Sequence, residues 1–223
     1  MYHIVHTLVK SINGKSDLTV EERNLLLVAY KNMMSARYPA LRTLHKEEDK
    51  GNELIKTYKK VVEREMEDLC QDILNLLSSN LIPATQGTLN QPQVFYLKMA
   101  GDCCRYLTGF VPRQDYNKQA ADYYGRACQI AFETLSPIDP LRLGLALNCS
   151  IFLYENLNDQ KKACELAKKA FDDALSKLDQ LDDISYKHSS FFMQMLRDNA
   201  TFWSSGSFIF RLNLLFSWGF PHN

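Results

Sequence analysis

Leu141-Arg-Leu-Gly-Leu-Ala-Leu-Asn148 is the segment of this chain that says most about its architecture. It continues to Glu155 without another glycine or proline, and its apolar residues recur at helical spacing. Asn148, Ile151 and Glu155 stand at positions i, i+3 and i+7, which lie on one face of a helix. The segment therefore predicts a helix at 140–156 that carries an amide and a carboxylate in register on one side.

Helical spacing of apolar residues extends from this segment in both directions. Glycine and proline together make 16 of 223 residues, fewer than the roughly 12% of an average protein. Thr19 and Glu22 form a predicted capping box at one helix start. A second helix carries one predicted apolar stripe: Leu54, Tyr58, Val61, Met66, Leu69, Ile73 and Leu76. We predict an all-α bundle of about eight helices with antiparallel neighbours, at residues 1–12, 19–47, 52–80, 91–108, 114–136, 140–156, 160–179 and 185–204.

The charge balance and the apolar runs exclude two classes of partner. The chain has 26 basic and 26 acidic residues, so a nucleic-acid binder that relies on bulk positive charge is excluded. No apolar run approaches the ~20 residues that a transmembrane helix needs, and no secretory signal begins the chain. The sequence predicts a soluble, cytoplasmic protein that can also be nuclear.

Patterns typical of catalysis and metal binding are missing from the sequence. None of the six cysteines forms a C-x-x-C or a Cys/His zinc spacing, which indicates reduced thiols and no metal site. The sequence contains no H-E-x-x-H, no G-x-S-x-G and no glycine-rich phosphate loop. We therefore expect neither an enzyme nor a bound cofactor.

Polar residues stand in register on several of the predicted helices. Lys98 and Arg105 are seven residues apart with Tyr106 adjacent, and Lys31 is seven residues before Tyr38. A further row has the spacing i, i+3, i+7 and i+11: Phe192, Met195, Asn199 and Trp203. Each row alone is typical of a solvated face or a core edge. Together the cations and amides predict a site for a phosphate group and an extended peptide backbone.

Several segments of the chain closely resemble the 14-3-3 family, in order from about Leu18 to Trp203. They include Val28-Ala-Tyr-Lys-Asn32, Val94-Phe-Tyr-Leu-Lys98, the segment from Leu141 to Asn148, and Met193-Gln-Met-Leu-Arg-Asp-Asn199. The resemblance implies antiparallel helices that form a concave cup, usually dimeric, whose groove binds phosphoserine or phosphothreonine peptides. It implies a non-enzymatic adaptor that regulates phosphorylated client proteins in signal transduction.

The resemblance also implies roles for individual residues. Lys31, Arg105 and Tyr106 would contact the phosphate, while Asn148 and Asn199 would hold the peptide main chain. Lys98 and Glu155 would support the basic cluster and the groove wall. The opposing, more apolar wall would be formed or bordered by Leu147, Ile151, Phe191, Phe192, Met195 and Trp203.

The chain departs from the family pattern beside the expected phosphate pocket. Tyr38 stands where the family has a second arginine, and losing one charged contact weakens phosphopeptide binding by ~2–3 kcal/mol. Pro39 falls inside the same predicted helix, where proline costs ~3 kcal/mol or forces a kink. These departures predict attenuated affinity. They leave two alternatives open: a phosphate-independent helical scaffold, or a non-functional truncated relic of a 14-3-3 gene.

The two ends of the chain also depart from the family. Residues 1–10 align best with the second helix of the family, so we expect the first helix of the family to be missing. Because that helix contributes to the dimer interface of the family, we expect a homo- or heterodimer with 14-3-3 relatives to be weakened. We also expect helix 52–80 to expose apolar surface. The predicted domain covers 1–205, followed at 206–223 by an apolar tail that either folds into the groove, anchors to a membrane surface or is a non-native terminus.

Overall fold

The computed structural model of this chain describes residues 18–48, 52–87, 91–108, 110, 115–180 and 183–205. These residues form seven α-helices and no strand, which confirms the all-α prediction for this part of the chain. The predicted helix 1–12 and the apolar tail 206–223 lie outside the described residues. The helices are α1 Val20–Glu48, α2 Glu53–Leu76, α3 Gln91–Leu107, α4 Tyr116–Thr134, α5 Pro140–Glu155, α6 Gln160–Leu175 and α7 Asp183–Ser205.

Side-chain caps fix the points where the helices begin. The predicted capping box is confirmed: Thr19 N donates to Glu22 Oε2 at 2.9 Å, and Glu22 N donates to Thr19 Oγ1 at 3.2 Å. Four later helices begin after a residue whose side chain accepts a backbone N–H of the first turn: Asn52, Asp115, Asp139 and Asp159. Local chemistry therefore explains why the predicted and observed helix starts agree.

The helix ends depart from the predictions at two places. The predicted helix 52–80 is observed as α2, which ends at Leu76, followed by a π-helical turn, Leu77–Leu81. This turn leads into a short helical turn, Ile82–Ala84, so the helical path continues past residue 80. α6 ends at Leu175 instead of 179, because the Lys177 N–H bonds to Ala174 O at 3.0 Å and closes a tighter turn. α1 runs through Pro39 without interruption, so the proline does not break this helix.

The predicted apolar stripe of α2 is buried only along its second half. Met66, Leu69 and Ile73 are buried, whereas Leu54 and Tyr58 are 76% and 57% exposed. The five-residue step from residue 61 to 66 turns the row of side chains by about 140° around the helix axis. The prediction that these residues form a single stripe was therefore wrong. The expectation that this helix exposes apolar surface is confirmed at its first turns.

Two clusters of buried side chains form the core, and α5 contributes to both. Leu145, Cys149 and Phe152 face the first cluster, which is built with α1 to α4. Leu143, Leu147 and other α5 residues face the second cluster, which is built with α6 and α7. α5 therefore lies between the two cores, and it carries four predicted groove residues: Leu147, Asn148, Ile151 and Glu155.

Within the part of the chain that the structure describes, no helix combines the length and the apolar character that crossing a bilayer requires.

Candidate functional site

A buried carboxylate on α3 joins three helices at the centre of the site. Asp102 is fully buried, and its Oδ2 atom lies 2.9 Å from Lys98 Nζ on the same helix. Its Oδ1 atom accepts hydrogen bonds from the Tyr124 hydroxyl on α4, at 2.5 Å, and from Asn148 Nδ2 on α5, at 2.7 Å. A buried charge is tolerated when it is paired and hydrogen-bonded in this way. We call Asp102 and its three donors the Asp102 network.

A glycine on α3 lets Tyr124 reach this carboxylate. A Cβ atom at Gly101 would lie 2.8 Å from two ring carbons of Tyr124, closer than side-chain atoms normally approach. The absence of a side chain therefore allows the ring to lie directly against α3. Phe152 of α5 packs on the other side, with the ring centroids 5.5 Å apart.

Arg105 is a buried cation next to the Asp102 network. Its Nε atom donates to the Tyr124 hydroxyl at 3.3 Å, and its guanidinium carbon lies 4.4 Å from the centre of the Tyr106 ring. Burial alone would lower the pKa of Arg105, but the oxygens of Tyr106, Tyr124 and Asp102 raise that pKa above its ordinary value. Arg105 is therefore a fixed positive charge.

Lys31 brings a second cation from α1 to the same place. Its side chain is half-buried, and burial together with the neighbouring Lys98 lowers its pKa from the ordinary lysine value. The two lysines therefore lie close enough to repel each other, which favours an anion between them. Arg105 contacts Tyr106 on α3, and Lys31 of α1 lies within electrostatic range of Lys98, which is also on α3.

Tyr38 occupies the edge of this cluster as a neutral group. Its ring packs edge-on against Tyr106 and Phe110, at centroid distances of 5.0 and 5.5 Å. Burial raises the pKa of Tyr38, although Arg105 and Arg42 act to lower it, so its hydroxyl stays protonated. It can therefore offer one neutral hydrogen bond and no charge.

Arg37 does not replace the missing positive charge. It forms an ion pair with Glu65 of α2, with Nη2 and Oε2 3.1 Å apart.

Arg42 follows Tyr38 by one helical turn and affects the pKa of Tyr38, so it lies nearer the cluster. Sequence reasoning missed Arg42, although its position four residues after Tyr38 was a usable signal.

The other predicted backbone-binding residue, Asn199 on α7, differs from Asn148. Asn199 is fully buried, and neither its Oδ1 nor its Nδ2 atom has a hydrogen-bond partner among the described residues. An amide that is buried without a partner costs about 1–3 kcal/mol, so such a group calls for an explanation.

The residues predicted for the apolar wall lie in and around the second core. Met195 is half-buried and packs against this core, while Glu155 is exposed at the end of α5 and affects the pKa of Tyr38. Phe191 is 41% exposed, and the other predicted wall residues are buried members of that core: Leu147, Ile151, Phe192 and Trp203.

Asp102 and Tyr124 are the central residues that sequence reasoning did not assign to the site. The spacing of Asp102, four residues after Lys98 and three before Arg105, was a signal for a carboxylate between two cations. Tyr124 had no such signal, because its contact with Asp102 spans 22 residues.

No metal site accompanies this arrangement. The described residues contain no group of three or more His, Cys, Asp or Glu side chains that could hold a metal ion.

Comparison with known proteins matches almost the whole chain to one family. The family described as "14-3-3 protein" matches residues 1–204. The chain is 49% identical to 14-3-3 protein epsilon of Drosophila melanogaster over 214 residues, which cover 91% of this chain and 80% of that protein. It is 50% identical to checkpoint signal transducer rad24 of Schizosaccharomyces pombe over 213 residues, 91% of this chain and 78% of that protein. It is 46% identical to 14-3-3-like protein B of Hordeum vulgare over 216 residues, 92% of this chain and 81% of that protein.

Proposed function

Because the chain belongs to the 14-3-3 family, we propose that it is an adaptor that binds phosphoserine or phosphothreonine peptides. By binding and covering such a segment, it regulates the client protein that carries it, in the cytoplasm or the nucleus. The observation that carries this proposal is the cluster of Lys98, Arg105 and Tyr106 at the Asp102 network, with Lys31 within electrostatic range of Lys98.

Charge supports phosphate as the group that is recognised. Lys31, Lys98 and Arg105 outnumber the single carboxylate of Asp102 by two, and a phosphorylated side chain carries about −1.5 to −2 charges at pH 7. Hydrogen bonds between such charged partners contribute ~1.5–3 kcal/mol each. An unphosphorylated serine has no comparable charge, so the cluster discriminates by modification state.

The unpartnered amide of Asn199 supports recognition of a peptide backbone. It offers one acceptor and two donors that the described residues leave unpaired. The main chain of an extended peptide has complementary N–H and C=O groups. Asn148, whose NH₂ group is held by Asp102, is oriented for the same purpose on the opposite side.

Tyr38 supports attenuated affinity. It is neutral and packed against Tyr106 and Phe110, so it supplies one uncharged hydrogen bond where an arginine would supply a charged fork. We expect the phosphopeptide to bind ~2–3 kcal/mol more weakly than it would with arginine at this position, a factor of about thirty to 150.

Exposed apolar side chains support a dimer as the working form. Leu25 and Val28 of α1 are 57% and 46% exposed, and Leu54, Tyr58 and Val61 of α2 are at least half exposed. Apolar patches of this kind mark protein contact surfaces. We propose that they contribute to a homodimer or to a heterodimer with a related chain.

The deciding experiment is a fluorescence-anisotropy titration with a phosphoserine peptide and its unphosphorylated twin. We expect selective binding of the phosphorylated peptide, and a loss of about tenfold to a hundredfold in Lys31→Ala. Lys161→Ala is the matched control, because Lys161 is 86% exposed on α6 and pairs only loosely with Glu165 at 4.0 Å. Equal binding of both peptides by protein that circular dichroism shows to be folded contradicts the proposal.

A phosphate-independent scaffold is the second candidate, and the packing of Tyr38 into an aromatic cluster favours it. Tyr38→Arg separates the two functions. An adaptor with attenuated affinity gains about tenfold or more for the phosphorylated peptide alone, because a charged fork is added. A scaffold that does not recognise phosphate binds both peptides equally before and after the substitution.

A further inference from the structure

Two thiols of neighbouring helices lie in contact with each other. The Sγ atoms of Cys128 on α4 and Cys149 on α5 are 3.4 Å apart, and both thiols are free. We propose that Cys128 and Cys149 form a redox-active dithiol, which a hydroperoxide closes into an intramolecular disulfide. Formation of this disulfide does not require the protein to recognise phosphate.

The surroundings of the two thiols assign them different roles. Cys128 is half-buried, so a small oxidant can reach it, whereas Cys149 is buried. The hydrogen bond from Cys149 lowers the pKa of Cys128 although burial opposes this, and burial raises the pKa of Cys149 well above its ordinary value. A thiolate is the reactive form of cysteine, so Cys128 is the residue that attacks and Cys149 is the residue that resolves.

The reaction proceeds in two balanced steps. The Cys128 thiolate attacks one oxygen of the hydroperoxide, the O–O bond breaks, and the leaving alkoxide or hydroxide takes up a proton to give an alcohol or water. The Cys149 sulfur then attacks the sulfenic sulfur of Cys128, and its thiol proton leaves with the expelled hydroxide as water. The two thiols are oxidised by two electrons, and the hydroperoxide is reduced.

The other four cysteines lack this combination of contact and access. Cys70 and Cys103 interact with each other, but both are fully buried, and burial raises the pKa of Cys103 well above its ordinary value. Cys104 is buried, and its sulfur lies 4.0 Å from Gln119 Oε1. Cys164 is half-buried like Cys128, but its sulfur contacts two oxygens, Ala200 O at 3.1 Å and Ser204 Oγ at 3.0 Å.

The disulfide can be mapped by mass spectrometry of the full-length protein. The protein is treated with hydrogen peroxide, its remaining thiols are alkylated, and it is digested with trypsin without reduction. Cleavage after Arg142 separates the two cysteines, so the disulfide appears as a pair of linked peptides. We expect the linked peptides to form at least about tenfold faster than any other cysteine is oxidised. Dithiothreitol should reverse the link.

Two variants make the assignment specific. Cys128→Ser removes the attacking thiol and abolishes the linked peptides. Cys164→Ser is the matched control, because it removes another half-buried thiol and leaves the link intact. The proposal is overturned by a peroxide-treated, folded protein in which Cys128 and Cys149 are both alkylated. A link between other cysteines, a link between two chains, or Cys128 present only as sulfinic acid overturns it equally.

A consequence for ligand binding rests on the proposed function. Cys149 follows Asn148 on α5, and Cys128 lies one helical turn after Tyr124 on α4, so the dithiol lies beside the Asp102 network. Shortening the S–S distance from 3.4 Å to about 2.05 Å draws these positions together. We expect the displaced Asn148 to weaken phosphopeptide binding several-fold, reversibly with dithiothreitol and not in Cys128→Ser.

The two readouts separate the two proposals. A disulfide that forms without changing peptide affinity overturns the coupling to the groove. Reduced protein that fails to select the phosphorylated peptide overturns the proposed function, while the mapped disulfide stands by itself.

Discussion

Asn148 and Asn199 are both buried asparagines of the same candidate groove, but folding treats them in opposite ways. Asn148 donates to Asp102 at 2.7 Å, within a network that also includes Lys98 and Tyr124. Asn199 has no hydrogen-bond partner for either polar atom among the described residues. Asp102 therefore satisfies the Asn148 amide within the fold, whereas the described residues leave both polar atoms of Asn199 unpaired.

We propose that the difference separates residues that stabilise the protein from residues that bind a ligand. A buried polar network stabilises when every member is satisfied, and each unsatisfied member reduces stability by about 1–3 kcal/mol. Asp102 belongs to the first kind and Asn199 to the second. Three substitutions and one change of pH follow, in order of decreasing expected effect.

Asp102→Asn removes the negative charge that holds the satisfied side together. The substitution leaves Lys98 and Arg105 without their buried counter-charge, and it places an NH₂ group against hydrogen-bond donors. We therefore expect the free energy of unfolding to fall by about 3–5 kcal/mol. Urea denaturation followed by circular dichroism measures this loss. Asp122→Asn is the control, because Asp122 pairs with Arg126 on an exposed surface and its loss costs less than about 1 kcal/mol. Equal losses in the two variants contradict the role of Asp102.

Asn148→Leu breaks the network from the α5 side. Asp102 loses one of its donors while the charge pair with Lys98 remains, so we expect a smaller loss of about 1–3 kcal/mol in the same urea experiment. A variant as stable as the wild type would mean that the Asn148 bond adds nothing to the fold.

Asn199→Leu sharpens the comparison because its expected sign is opposite. Replacing an unsatisfied buried amide by an apolar side chain of similar shape leaves the free energy of unfolding unchanged or raises it by about 1 kcal/mol. Phosphopeptide affinity, measured by fluorescence anisotropy, falls about tenfold because a backbone contact is lost. Destabilisation comparable to that of Asn148→Leu would show that Asn199 serves the fold after all.

The pH dependence of binding gives the smallest effect. Burial and Lys98 lower the pKa of Lys31 below 10.5, so Lys31 loses its charge at a lower pH than an ordinary lysine. Phosphopeptide affinity therefore declines a few-fold as the pH rises through that alkaline range. The unfolded state binds more protons in the same range, so the contribution of Lys31 to stability rises with pH while affinity falls.

Lys31→Arg tests this assignment, since an arginine keeps its charge over the whole range. Anisotropy titrations at increasing pH should then lose the alkaline decline. A decline that is identical in wild type and variant assigns it to another group.

Structural features that depend on neighbouring residues could be predicted from the sequence, whereas contacts between distant residues could not. Helix starts were predictable because capping side chains act within three residues, as in the Thr19–Glu22 box. The cations of the site were predicted from their register and from the family resemblance. The structure pairs Lys98 with Asp102 and shows an electrostatic effect of Lys98 on the pKa of Lys31. The role of Tyr124 was not predictable, because its contact with Asp102 depends on how α4 packs against Gly101.

The α2 stripe illustrates the same limit within one helix. Periodicity shows that a helix has an apolar face, but Tyr58 and Met66 both fit that description and only Met66 is buried. Which part of an apolar row meets a neighbouring helix is decided by tertiary packing, which spacing alone does not contain.

The position of α5 between the two cores has a consequence for how the molecule unfolds. A chain with two separate cores can melt in two steps, one for each core. Here α5 supplies Leu145 and Cys149 to one core and Leu143 and Leu147 to the other. Because neither core can lose its structure without releasing the helix that the other requires, we expect the two cores to melt as a single cooperative unit. In calorimetry this appears as one transition whose van't Hoff enthalpy equals its calorimetric enthalpy.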